Sequence, residues 1–540
     1  MLHFGNMSIA KTSQSHPLRI AQVGIRDGRG VIGLTFCPGK KHTGMISGDW
    51  DRDLCVDMKA IEDFGATALV TLMEDAELDA VHVRPDCLRA EALEHGIEWH
   101  YLPVADVDIP DRRFEDMWTY SGLRLRNILK CGGKVVVHCR GGLGRTGTIA
   151  ARLLVEFGDE PKVAIKKVRA ARPGTIETQA QENYVKNCLP VRFARVDQSQ
   201  EERALACLLG GAIGDAFGYA VEFSSLAEIH KKFGEVGINS PVRHHGKLVV
   251  SDDTQMTLFT LEGLLRAIEN QASTRDLYLR EIRNSYLDWL DTQNGSVPDK
   301  NVHGWLVREK SMRALRAPGN TCLSALKTGG IGSIEQPTND SKGCGGVMRV
   351  APVGLVGHDC MAGAVFHLGA ESAALTHGHP SGYLSAGVMS ALVHSLLQGR
   401  RVKLYKRNEH DHDPLAEALS LLWDYSDHEE TLEAVNRAIS LAREGASDHP
   451  RAVESLGGGW VGEQALAIAL YSVLAARSFV EAITIAANHG GDSDSTASLA
   501  GQLWGAAHGL AGMPHDWIVD LDVLLPLLRL AKQLIEPEIR

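Results

Sequence analysis

Residues 135–154 read VVVHCRGGLGRTGTIAARLL: a hydrophobic run, a glycine-rich turn that follows Cys139, and an amphipathic run. The first part reads as a strand and the last as a helix, so Cys139 stands at a strand-to-helix junction. Five residues separate Cys139 from Arg145, namely Arg140, Gly141, Gly142, Leu143 and Gly144. Glycine at three of these positions lets the backbone curl until several N–H groups point at one centre, an anion nest. The helix starting near Arg145 adds the partial positive charge of its N-terminus, and the Arg145 guanidinium can grip two oxygens of a tetrahedral anion at once. Phosphate fits such a socket. The same field favours thiolate over thiol and makes Cys139 a nucleophile at neutral pH. A free cysteine is often only a small buried hydrophobe; the spacing HCX5R followed by Thr146 argues for chemistry here.

This stretch resembles the cysteine-based protein-tyrosine and dual-specificity phosphatases, and within them the cyclin-dependent-kinase-associated phosphatase branch. The resemblance covers residues 18–190 and includes YLPVADVDIPD at 101–111 and GTIETQAQENYV at 174–185. It implies that Arg140 to Gly144 bind phosphate, that Asp106 protonates the leaving oxygen, and that the Thr146 hydroxyl assists Cys139 as it departs. Gln181 would help to place the hydrolytic water, and no metal is implied. Asp108 and Asp111 compete with Asp106 for the acid role. One departure stands out: Glu177 occupies a position where the family usually has glutamine. A carboxylate beside bound phosphate repels it unless solvated or paired, so slow turnover or an unusual substrate is expected.

Around the loop, β-rich pieces (LRIAQVGI from 18, VIGLTF from 31, ALVTLM from 68, EWHYLPV from 98, KVVVHC from 134) alternate with helical stretches near 54–64, 84–95 and 113–130. Three more helices are expected near 146–157, 161–171 and 177–188. The alternation predicts an α/β domain, a central sheet flanked by helices with ligands at the carboxyl ends of the strands.

At 540 residues the chain is too long for one core. Hydrophobic residues at 44% and charged residues at 23% are ordinary globular values. The net charge of -11 argues against a general nucleic-acid surface. Glycine is plentiful, at 55 residues, and much of it falls in stretches read here as ligand loops. Ten cysteines without paired spacing, in a chain whose nucleophile must stay reduced, favour the cytoplasm. No apolar run reaches the ~20 residues of a membrane helix, and MLHFGNMSIAKTSQSHPL lacks a signal-peptide core. Residues 1–16 read as a flexible tail, 17–197 as the phosphatase-like domain and 198–540 as a second domain. The boundary falls in LPVRFARVDQSQEER (189–203), which carries proline, many charges and no period.

Beyond it strand signals almost vanish. The stretches 254–270, 275–291, 362–374, 381–398, 414–426, 430–443, 462–476 and 478–489 place apolar residues at three-and-four spacing, which predicts an all-α domain. Three motifs in this half are too polar for their places: GGAIGDAFGYAVEF (210–223), SDDTQM (251–256) and NHGGDSDSTASLAG (488–501). Adjacent Asp252 and Asp253 can serve one ion only where a loop turns into a helix. Asp492, Asp494 and Ser495 offer hard oxygen ligands after the Gly490-Gly491 turn. Such donors suit Mg²⁺ or Mn²⁺ in octahedral oxygen coordination, whereas zinc favours His or Cys. Either motif alone is also an ordinary helix N-cap; two of them, each opening an apolar helix in one domain, point to metal.

Residues 200–535 resemble the ADP-ribosylglycohydrolases, the group containing the dinitrogenase-reductase-activating hydrolase and the ADP-ribosylarginine hydrolases. The matching pieces are GAIGDAFG, SDDT, PGNTCLSAL (318–326), SKGCGGVMRVAPVG (341–354), THGHP (376–380), GGGWVGEQALAIAL (457–470) and GGDSDS. The resemblance implies an all-α bundle holding two Mg²⁺ or Mn²⁺ ions, with Ser251, Asp252, Asp253, Asp492, Asp494 and Ser495 as ligands and Asp253 as the base. It implies that Gly343, Gly345, Gly346 and Met348 line the ribose and pyrophosphate, with Asn320 and His377 nearby. His377 and His379 read equally as core or capping histidines. Glu222 reads equally as a mobile acid over the site or as a surface glutamate.

The combined expectation is a bifunctional hydrolase, cleaving phosphomonoesters at Cys139 and, with Mg²⁺ or Mn²⁺, the N- or O-glycosidic bond of ADP-ribosylated substrates. Its partners are then a phosphorylated protein or small phosphorylated metabolite and an ADP-ribosylated protein or ADP-ribose derivative. The competing expectation makes the phosphatase-like domain a phosphate-binding module that targets the other.

Overall fold

Val135, Val136 and Val137 have no exposed surface, the mark of a strand covered on both faces of a sheet. The computed structural model describes residues 10–26, 28–43, 48–191, 200–293, 302–357, 360–402 and 413–536. The chain divides into two compact units, Met1–Arg195 and Val196–Arg540; the expected boundary at 197/198 lies outside the described residues.

In the first unit β1 (Ala21–Gly24), β2 (Val31–Phe36), β3 (Ala66–Thr71), β4 (Glu98–Tyr101) and β5 (Lys134–Cys139) form one sheet in the order β1-β2-β5-β3-β4. β1 runs antiparallel to β2 and the remaining pairs are parallel. Central β5 therefore ends between β2 and β3, with Phe36 opposite Cys139 and Thr71 opposite His138. Thr71 Oγ1 lies 2.7 Å from His138 Nε2. Burial pushes the His138 imidazole down to about 3, so it stays neutral and anchors the strand end. Helices α1 (Arg112–Lys130) and α2 (Gly144–Glu156) pack on β5, and α3 (Gln179–Asn187) packs on α2. All of these were expected. The helix Asp75–Ala80 and the ribbon Lys41–His42 with Trp50–Asp51 were not.

Part of the stretch expected as a tail is held by the rest of the unit. Residues 1–9 lie outside the described residues, but the Lys11 N–H donates to Asp49 O and its carbonyl accepts from Asp51 N. Ser13 is buried and its hydroxyl bonds the backbone of Asp53 at both ends. The ribbon strand Trp50–Asp51 supplies the pairing that orders this segment.

The second unit is helical, with helices wherever the three-and-four spacing predicted them; 414–426 splits into Pro414–Ser420 and a 3₁₀ turn, Leu421–Asp424. Its centre is the pair α4 (Gln200–Gly218) and α6 (Ser493–His508), beside α5 (Asp252–Glu269). A Cβ at Gly214 would stand 2.0 Å from Ala497 O, at Gly218 2.1 Å from Ser493 O, and at Gly501 2.0 Å from Gly210 O. Only glycine permits that approach. The glycines of GGAIGDAFG therefore lie inside a helix, where the intrinsic cost of ~1 kcal/mol each is offset by close helix packing. No helix among the described residues is long and apolar enough to cross a membrane.

Candidate active sites

Cys139 ends β5 with 4% of its surface exposed, and residues 140–144 turn the chain into α2. Gly142 has φ +70° and a Cβ there would meet Thr35 O at 2.3 Å, so the turn requires glycine; Gly141 faces open space. The N–H of Gly144 donates to Glu177 Oε2 at 2.8 Å. Buried Thr146 Oγ1 has no hydrogen-bond partner among the described residues.

Arg145 is 3% exposed and clamped from several sides. Nη1 donates to Val104 O at 2.8 Å and Leu72 O at 3.2 Å, and Nη2 donates to Glu77 Oε1 and Asp106 Oδ1, each at 2.8 Å. Glu77 also takes Nη1, forming a two-armed ion pair. The sequence reading missed it because it sits on a six-residue helix with no periodic signal.

The three competing acids separate. Asp111 caps α1 by accepting from Phe114 N at 2.8 Å. Asp108 binds Ile109 N at 2.8 Å, and its carbonyl accepts from Gln181 Nε2 at 3.2 Å. Of the three, Asp106 touches Arg145, with 60% of its side chain exposed; a phosphate taking Nη2 would release it. Gln181 is fully buried, and its Oε1 accepts from Glu177 N at 2.9 Å.

In the second unit Asp215 of α4, fully buried, accepts from Ser251 N at 2.8 Å, from Thr254 N at 3.0 Å and from the Thr254 hydroxyl. It thereby fixes the turn into α5, a role its motif did not disclose. Capping falls to Ser251, which accepts from Asp253 N at 3.2 Å, and to Asp492, which accepts from Ser495 N at 3.4 Å. Asp253 Oδ2, Asp494 Oδ1 and Glu222 Oε2 are buried without a hydrogen-bond partner among the described residues. Oxygens of Glu222, Asp492 and Asp494 lie within 4.8 Å of one another, so Glu222 joins the cluster. Burial, reinforced by neighbouring Asp494, raises the carboxyls of Asp252, Asp253 and Asp492 well above their usual range, Glu222 to about 10 and Asp215 to about 7. Packed carboxylates with orphaned oxygens are costly without a cation. As a hard-oxygen set they fit Mg²⁺ or Mn²⁺.

Two loops meet at this cluster. Cys344 N donates to Trp460 O at 3.1 Å, and its thiol, not singled out from sequence, donates to Asp492 Oδ2 at 2.7 Å. Gly345 and Gly346 are buried. His377, 2% exposed, lies against this loop: a Cβ at Gly345 would meet its Cε1 at 2.9 Å. Burial and then Arg349 push its imidazole down to about 3. His377 thus supports the loop from the core, one of the two roles that its motif left open. Met348 is likewise buried, its carbonyl accepting from Gln502 Nε2 at 3.1 Å. His379 caps the helix Pro380–Leu397 through Ser381 N at 3.1 Å. Exposed Asn320 follows Gly319, whose N–H donates to Asp252 Oδ2 at 3.4 Å.

Comparison with known proteins agrees with this division. A family model described as ADP-ribosylglycohydrolase matches residues 196–539, and one described as Swiss Army Knife protein, DSP-PTPase phosphatase domain, matches residues 51–185. The chain is similar to the ADP-ribosyl-[dinitrogen reductase] glycohydrolase of Rhodospirillum rubrum, with 25% identity over 335 residues, 60% of this chain and 92% of that protein. It is similar to the ADP-ribosylarginine hydrolase Tri1 of Pseudomonas putida (strain GB-1), with 25% identity over 346 residues, 62% of this chain and 78% of that one. Similarity to cyclin-dependent kinase inhibitor 3 of Rattus norvegicus is 31% over 157 residues, 28% of this chain and 69% of that one.

Proposed function

The chain belongs to the ADP-ribosylglycohydrolase family through residues 196–539, and from that premise we propose that it is a bifunctional hydrolase. The second unit cleaves the N- or O-glycosidic bond of ADP-ribosylated substrates with Mg²⁺ or Mn²⁺, and the first cleaves phosphomonoesters through Cys139. The observation that carries the ADP-ribosyl half is the trio of buried carboxylate oxygens on Asp253, Asp494 and Glu222 without a hydrogen-bond partner among the described residues. The name of one similar protein, an ADP-ribosylarginine hydrolase, puts ADP-ribosylarginine first among the linkages to test.

Ser251, Asp252, Asp253, Asp492, Asp494 and Ser495 would hold the ions. Bound there, divalent cations supply charge that polarises ribose hydroxyls and lowers the pKa of a water. Asp253 keeps a buried oxygen without a hydrogen-bond partner among the described residues, so its carboxylate would take the proton of a water attacking the anomeric carbon. The acid cluster favours an oxocarbenium-like centre, and Asp215 holds the turn that carries Ser251 to Asp253.

In the first unit the Cys139 sulfur bonds to phosphorus as the ester P–O bond breaks, and Asp106 gives its proton to the leaving oxygen. Water then displaces Cys139, helped by Thr146 and placed by Gln181. Arg145, oriented by Glu77, steadies the equatorial oxygens. Because Cys139 must stay reduced, the setting is cytoplasmic. The substrates are a phosphorylated protein or metabolite and an ADP-ribosylated protein or ADP-ribose derivative.

Offering ADP-ribose-1″-phosphate to the intact chain and to Cys139→Ser tests whether one metabolite passes through both sites; equal product from the two eliminates that sequence. A second reading has its own support. The Glu177 carboxylate occupies the Gly144 N–H that a phosphate would use, which favours a targeting module without turnover. Hydrolysis of para-nitrophenyl phosphate that disappears in Cys139→Ser excludes that reading.

A further inference from the structure

Buried or half-buried guanidinium groups of the first unit pair with carboxylates: Arg52 with Asp57, Arg126 with Glu156, Arg152 with Glu115, and Arg145 with Glu77. Three cations near the phosphate loop differ. Arg140, next to Cys139, has no carboxylate partner among the described residues. Arg172 donates Nη2 to the loop carbonyl of Gly141 at 3.1 Å, and its Nε is buried without a partner among the described residues. Lys40 is only 7% exposed, yet among the described residues its ammonium has no hydrogen-bond acceptor. It rests 4.4 Å from the ring centroids of both Phe36 and Trp50. Phe36 is the register partner of Cys139, so Lys40 follows a strand end that adjoins the nucleophile.

These charges feel one another. Burial brings the Lys40 ammonium down to about 8; Cys37 opposes the shift, and Arg52, Arg140 and Arg172 add to it. Arg52 is neutralised by Asp57, which leaves Lys40, Arg140 and Arg172 uncompensated. Gathering like charges at low dielectric costs free energy that an anion would recover. A single phosphate does not account for them, because the loop N–H groups and Arg145 already serve it.

We propose that Lys40, Arg140 and Arg172 form a second anion subsite beside the Cys139 loop, so that the substrate is a phosphomonoester carrying a second phosphate group. The inference rests on reading residues 139–145 as a phosphate cradle. Two aromatic faces hold the ammonium without consuming its three N–H donors. The unused Nε–H of Arg172 adds a directed donor beside the loop. The subsite also gives a reason for Glu177, whose carboxylate disfavours a lone phosphate at Gly144 while a second anchored anion offsets that loss.

The test is calorimetric binding to the full chain bearing Cys139→Ser, which holds ligand without turnover. Matched probes are 2-phosphoglycerate against 2,3-bisphosphoglycerate, and fructose 6-phosphate against fructose 1,6-bisphosphate. At least one bisphosphate should bind about tenfold tighter than its single-phosphate partner. Lys40→Met and, separately, Arg172→Met should each erase most of that ratio, and Lys40→Arg should keep it. Bisphosphates that bind no tighter, or a preference that survives both methionine variants, overturn the subsite. If neither the monophosphates nor inorganic phosphate binds at all, the phosphate cradle itself is wrong and the subsite falls with it.

Discussion

Glu77 and Asp215 do similar work at two unrelated sites: Glu77 holds the Arg145 guanidinium with both oxygens, and Asp215 ties Ser251 to Thr254 with one oxygen on each. Replacing Glu77 with Gln removes the charge that orients Arg145, and phosphatase kcat/KM should fall about 10–100-fold. Steady-state kinetics with para-nitrophenyl phosphate checks this; unchanged kinetics would mean that Arg145 is positioned without Glu77. Asp215→Asn loosens the Ser251 to Thr254 turn and should weaken Mn²⁺ binding by about 10–100-fold, read by calorimetry on the full chain. Neither residue announces itself in sequence. Cys139 and Arg145 were legible because five fixed positions encode a loop, and Asp252 and Asp253 because adjacent acids are out of place before an apolar helix. Glu77 and Asp215 act through contacts 68 residues away in the chain for Arg145 and 36 for Ser251, which no local pattern carries. His377 stayed open for the converse reason, since a motif histidine looks alike whether it faces a ligand or supports the loop that does.

Among the elements, the crossing of α4 and α6 decides the second site, because α4 carries Asp215 and α6 begins at Asp492 and Asp494. Their helicity is written in spacing and caps; their distance of approach is written in Gly210, Gly214, Gly218 and Gly501. Gly214→Ala forces a methyl toward Ala497 O at 2.0 Å. Overpacking of this kind costs about 1–3 kcal/mol, and the second unit should melt several degrees lower by calorimetry, about 2–4 °C per kcal/mol. An unchanged melting temperature would show that the helices separate freely, against the close-packed reading. In the sheet the order β1-β2-β5-β3-β4 was foreseeable only as a class. The alternation announces a sheet flanked by helices, but strand order depends on crossovers whose destination the strands do not encode.

For the whole molecule, the acid cluster makes stability depend jointly on pH and metal. The carboxyls of Asp215 and Glu222 are raised in the folded state, to about 7 and about 10, above an unfolded value near 4. Their stabilising contribution is therefore full below about pH 4 and fades as pH rises through those folded values. His377 and His489, lowered to about 3 and about 4, act the other way, but only below about pH 6.5. Between about pH 6.5 and 8 the carboxyls dominate, so the second unit of metal-free protein should melt lower at the higher pH. Mg²⁺ should raise its melting temperature more at pH 8 than at pH 6.5; an equal shift would mean that the cluster does not take the ion. The most direct measurement is release of ADP-ribose from ADP-ribosylated arginine by EDTA-treated protein, with and without Mn²⁺, for the intact chain and Asp253→Asn. Release that requires Mn²⁺ and is lost in Asp253→Asn is the predicted result. Undiminished release without metal, or from the variant, would contradict the account.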